Sequence, residues 1–196
     1  MPVQRILFWI TFAWIILITI LRRETLSSTG LTSVGLWRSA WILPAALALC
    51  GLAIFAAAEA GTLHPLFARH VPLELRVGGY AIWAFLQEFI MLVFVLRRLL
   101  QLLPNRTAAI FLAALLFAAA HLPNPALTAL TLLWGLISCT LYLRYRNLYV
   151  LSLAHAILGL CVAVTVPDGV HHHMRVGIGY IHYGQAPRIH LSKSAQ

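Results

Sequence analysis

The chain has 196 residues, 61% of them hydrophobic and 10% charged, with a formal net charge of +9. Its mean hydropathy of +0.87 lies far outside the range of soluble domains, which excludes a water-soluble enzyme or binding module and makes lipid the solvent. The fourteen Lys and Arg stand one to three at a time between apolar runs, the pattern of membrane topology, so membrane lipid is an expected partner and nucleic acid is not.

A bilayer core of about 30 Å takes about 20 apolar residues per helix, and the apolar runs give an all-α transmembrane bundle of about six spans. The first run, 6–21, is closed by Arg22 and Arg23 with no cleavage site after it, so it reads as a retained span. A polar connector or short interfacial helix with Ser27, Ser28, Gly30, Ser33 and Gly35 leads to the second span, 41–60. The third, 77–96, ends at Arg97 and Arg98; Pro104, Asn105 and Arg106 turn the chain into the fourth, 107–121, which Pro123 and Pro125 close. The fifth covers 126–143, and Arg144 to Asn147 lead to the sixth, 148–166. Cys50, Cys139 and Cys161 all fall in apolar runs without pair spacing and read as core packing. The cations lean toward placing the Arg97 and Arg144 loops in the cytoplasm, including Arg69 among those opposite. The protein is thus expected to be integral to a membrane.

The bundle, 1–167, gives way after Pro167 to a polar and aromatic tail, 168–196. His171, His172 and His173 are consecutive and have only Asp168 nearby, so they read as a solvated interfacial cluster rather than a metal site. Residues 175–183 alternate apolar with small or polar residues, which predicts an extended segment suited to the headgroup layer and placed to gate the mouth of a cavity.

An ionisable group inside a span costs at least about 2.5 kcal/mol, so those that persist face a cavity or one another. Glu88, His121 and His155 are three such groups on separate spans, whereas Glu59 stands at a span end where water is near. At about 1.5 Å per residue, Glu88 lies about 13 Å in from Arg97 and His155 about 13 Å in from Arg146, a matched pair; His121 lies about 22 Å from Arg106. Brought together, a carboxylate and an imidazole deprotonate water while a second imidazole donates to an oxyanion. One Glu and two His also make a three-ligand set for a divalent metal such as zinc. A third reading is a hydrogen bond from each to a neighbouring helix. Residue types alone leave all three open.

Gln87-Glu88 followed by Leu96-Arg97-Arg98-Leu99, then Phe117-Ala-Ala-Ala-His121-Leu-Pro-Asn-Pro125, Gly135, Asn147-Leu148 and Leu153-Ala-His155-Ala156 form an ordered set. It resembles the CPBP family of intramembrane glutamic proteases, relatives of the type II CAAX prenyl proteases and bacterial Abi proteins. The resemblance covers about half the chain, in a protease-like core of 77–166. It implies an intramembrane endopeptidase of a bacterial cytoplasmic membrane needing no cofactor, with Glu88 and His121 activating water, His155 stabilising the oxyanion, Gln87 as auxiliary donor, and a peptide or membrane-anchored protein as substrate. The chain departs from the family pattern where Glu-Glu-x-x-x-Arg becomes Gln87, Glu88 and Leu92, and where His-x-x-x-Asn becomes His155 and Gly159. Since Gln cannot accept a proton, activity requires Glu88, about 100° around the helix, to face the cavity. The alternative is a catalytically inactive membrane scaffold or immunity protein of the same type.

Overall fold

A computed structural model describes residues 2–65 and 72–183, and every regular element among them is helical. Helix α1 (Pro2–Leu21) is followed by the single turns α2 (Leu26–Thr29) and α3 (Leu36–Ser39), then α4 (Ile42–Glu59). Helix α5 (Leu73–Glu88) continues through a π-helical segment (Phe89–Leu96) into α6 (Arg97–Leu102). Helices α7 (Arg106–Ala119), α8 (Pro125–Tyr145) and α9 (Leu148–Thr165) complete the bundle, and α10 (Asp168–His171) and α11 (Ile178–Tyr183) follow.

Four stretches are long and apolar enough to cross a bilayer: Leu36–Glu59, Leu73–Leu102, Pro125–Tyr145 and Leu148–Thr165. Two of the six expected spans correspond to shorter apolar helices, Trp9–Leu21 and Arg106–Ala119. Large apolar side chains such as Leu52, Phe55, Ile82 and Leu133 are exposed around the bundle, a surface that only lipid stabilises. Arg69 and residues 184–196 lie outside the described residues.

Helix starts follow local chemistry. Asn105, Asn124 and Asn147 cap α7, α8 and α9, each accepting from backbone N–H groups of the first turn, and Pro125 occupies the first turn of α8, where no donor is needed. The third expected span ends at Arg97 in the sequence, but its helix runs on to Leu102. Glu24 explains this: it pairs with Arg97 at 3.1 Å and Arg98 at 2.7 Å, so both cations are held against the bundle and Pro104, not charge, limits the helix.

The core gathers Leu92, Val93 and Leu96 of the π segment with Ala113, Phe117, Cys139, Tyr142, Leu148, Leu151 and Ala154. Helix α7 lies along α8, and α9 packs between α4 and α5. Gly135 permits the α7–α8 approach, since a Cβ there would come within 3.0 Å of the Ala114 backbone. All three cysteines are free and buried.

Residues 175–183 are not extended as their alternation suggests. Ile178–Tyr183 is a helix, and the segment before it is tied to the turn after α7 by Asn124, which donates to the carbonyls of His171 at 2.8 Å and Arg175 at 3.1 Å, and by Gly177 N–H on the Leu122 carbonyl at 2.8 Å. Tertiary hydrogen bonds here override an alternating pattern too short to specify a strand.

Candidate active site

Between α5, α7, α8 and α9 lies a cavity of about 470 Å³, walled mainly by apolar side chains such as Trp83, Met91, Leu116 and Val162. Its polar lining includes Tyr80, Gln87, Thr131, His121 and His155, and Met174 and Val176 of the segment after α10 also reach it. The size suits a peptide side chain or short apolar group.

Gln87 and Glu88 end the α-helical part of α5, just before the π segment. Gln87 lines the cavity; Glu88 is fully buried behind the lining. Glu88 therefore does not face the cavity directly. It is linked to the cavity wall by His155: Nδ1–H of His155 donates to Glu88 Oε1 at 2.9 Å, and Trp134 Nε1–H donates to the same oxygen at 2.5 Å. Two N–H groups on one oxygen offset part of the cost of burying a carboxylate, while Oε2 is buried without a hydrogen bond.

His121 follows the end of α7, and its Nδ1–H donates to the Phe117 carbonyl at 2.8 Å. That bond leaves Nε2 as the lone-pair nitrogen, 3.5 Å from the Gln87 side-chain amide, which donates to it. Likewise the Glu88 bond leaves Nε2 of His155 as its basic nitrogen. The Phe117 ring meets both imidazoles edge to face, with centroids 5.0 Å from His121 and 5.9 Å from His155, and so fixes both planes.

The structure thus brings the four sequence candidates into two contacts, Glu88 with His155 and Gln87 with His121. The pairing of Glu88 with His121 does not occur among the described hydrogen bonds. Trp134 and Tyr80 were not foreseen. A tryptophan N–H deep in a span needs a partner, which was the available signal for Trp134; nothing local marked Tyr80.

Tyr80 answers the replacement at Gly159. A Cβ on Gly159 would collide with the Tyr80 hydroxyl and ring, so the tyrosine occupies the space a side chain at 159 would take and brings its hydroxyl to the cavity wall. Gly159→Ala is expected to cost about 1–3 kcal/mol by overpacking. Most of that should be relieved in a Tyr80→Ala background, as a double-mutant cycle of unfolding in detergent would show.

The fold and the cavity define an integral membrane α-helical bundle with paired imidazoles and a buried carboxylate. Residues 71–161 match the family model described as type II CAAX prenyl endopeptidase Rce1-like, a match that supports the CPBP/CAAX protease family for this segment. That family is one of proteases. No curated protein and no solved structure gives a significant match to the chain.

Proposed function

We propose that the protein is an intramembrane endopeptidase that hydrolyses a peptide bond of a membrane-associated protein, acting in a bacterial cytoplasmic membrane. The observation that carries this reading is the 2.9 Å contact of His155 Nδ1 with the buried Glu88 carboxylate at the wall of the cavity. In that pair the carboxylate holds the imidazole in one tautomer and stabilises the cation formed when Nε2 takes a proton from water. The hydroxide adds to the scissile carbonyl, the carbon–nitrogen bond breaks, and the imidazolium returns its proton to the leaving amine.

The oxyanion needs N–H or O–H donors. Gln87 and the Tyr80 hydroxyl are uncharged donors of the cavity lining, and His121 accepts one Gln87 N–H so that the other remains for substrate. This assigns water activation to Glu88 and His155 and oxyanion binding to Gln87 and Tyr80, with His121 as the residue that orients Gln87. It departs from the roles drawn from the family resemblance because the contacts differ. The missing first glutamate and the missing asparagine are compensated by residues that line the same cavity.

The test compares membrane-protein termini in cells producing wild-type protein or His155→Ala at equal abundance. Termini that vanish in the variant are the expected result and identify the substrate. A phenotype restored equally by both proteins, with identical termini, overturns the reading in favour of a non-catalytic role.

A further inference from the structure

The loop after α4 runs back along the end of α9. His64 N–H donates to the Val164 carbonyl at 3.2 Å, and its Nε2 lies 2.6 Å from the Val166 carbonyl. Pro167 then starts α10, whose Asp168 and His171 face His64; the two imidazole centroids are 5.7 Å apart and nearly perpendicular. One nitrogen of His64, one of His171 and one carboxylate oxygen of Asp168 lie within 4.8 Å of one another.

His171 is 1% exposed, and its ring has the Ala163 backbone as a hydrogen-bond partner but no side chain within hydrogen-bond distance. Its nearest charged neighbour is Asp168, whose Oδ1 is 3.6 Å from Nδ1. A buried imidazole that uses one nitrogen on a backbone carbonyl keeps the other as a lone pair, which a cation can occupy. The three histidines therefore do not form the solvated cluster their sequence suggests, since His171 is buried and His64, more than a hundred positions earlier, completes the group.

We propose that His64, Asp168 and His171 bind a divalent transition-metal ion of the zinc type, fastening the segment after α9 to the loop after α4. Two imidazoles and a carboxylate are a common zinc donor set, with ligand distances of about 2.0–2.2 Å. The side chains must draw together somewhat to reach them, and the partly exposed Asp168 has room to move. The contact from His64 Nε2 to a backbone carbonyl is the outer bond that fixes the tautomer of a ligating imidazole and leaves Nδ1 unprotonated. Burial lowers the pKa of His171 below the ordinary histidine value, with Asp168 partly opposing, which favours the neutral form that ligates metal. His173, with Nδ1 2.9 Å from Asp168 Oδ1, is the neighbour able to supply a fourth donor.

The position gives the ion a consequence. Met174 and Val176, a few residues beyond His171, line the central cavity, so a clamp at His171 also holds that part of the cavity wall. It is separate from the proposed catalysis, and its readout does not depend on peptide cleavage.

The experiment uses the full-length protein in detergent without a polyhistidine tag, stripped with a chelator and then titrated with zinc. The expected result is one zinc per chain, with affinity falling at least about ten-fold in His64→Ala and in Asp168→Asn and unchanged in His182→Ala. Chelator should lower Tm in wild type and leave it unaltered in His64→Ala. Absence of stoichiometric zinc from the wild type overturns the proposal. So does zinc that persists in the His64 and Asp168 variants, including zinc lost only in His155→Ala, which would place it at the cavity. His171→Ala is kept out of the decision because losing a buried ring may itself prevent folding.

Discussion

Glu88→Gln is expected to reduce kcat/KM for peptide cleavage about 10²- to 10⁴-fold, with little change in KM, because the loss falls on proton transfer. The amide still offers one oxygen to His155 and Trp134, so the geometry of the contact survives. What disappears is the negative charge 2.9 Å from Nδ1 that stabilises the imidazolium formed as water is deprotonated. The amide also places an NH2 group in a fully buried site where Oε2 now has no hydrogen bond. Purified wild type and variant assayed on the same substrate give the answer, with unfolding in detergent as a check on folding. Glu88→Asp should recover little, since its carboxylate is one methylene short. Turnover by Glu88→Gln within about three-fold of wild type would remove the pair from the mechanism, because general bases contribute far more than that.

The pair was legible in the sequence because depth is legible in a membrane helix. Equal distances of about 13 Å from Arg97 and Arg146 set Glu88 and His155 at one level, and the two meet. His121 did not fit that count. Helix α7 ends at Ala119, so His121 stands in the turn beyond it and meets Gln87, the residue next to Glu88. Which of the two neighbours faced the cavity was not readable, because the residues that follow form a π-helical segment and their uniformly apolar sequence carries no phase.

Long-range partners explain the remaining differences. Arg97 and Arg98 look like the end of a span until Glu24, over seventy residues earlier, is seen to hold them. Gly159 looks like a lost donor until Tyr80 is found in its space. His171 looks solvated until Asn124 is found holding its carbonyl. In each case a residue distant in sequence changed what the local pattern implied. The caps at Asn105, Asn124 and Asn147 differ in being local, since a cap acts on the turn that follows it.

Asn124 carries the second large expectation, because one fully buried side chain serves three segments. Its Oδ1 accepts from Leu127 N–H at 3.2 Å and starts α8, its Nδ2 donates to the His171 and Arg175 carbonyls, and its own N–H donates to the His121 carbonyl at 3.1 Å. Asn124→Ala removes the cap, worth about 0.5–2 kcal/mol, and strands buried carbonyls at about 1–3 kcal/mol. A combined loss of about 2–4 kcal/mol is expected for unfolding in detergent. Asn124→Asp separates the two contributions: the carboxylate still caps α8 but faces the His171 and Arg175 carbonyls with no donor. Both variants should therefore expose residues 175–183 to limited proteolysis, whereas only Asn124→Ala should also weaken α8. Because Met174 and Val176 line the cavity, releasing this segment opens its wall, and cleavage should slow in both variants. Protection of 175–183 equal to wild type in Asn124→Asp would show that the segment is held by contacts other than this amide.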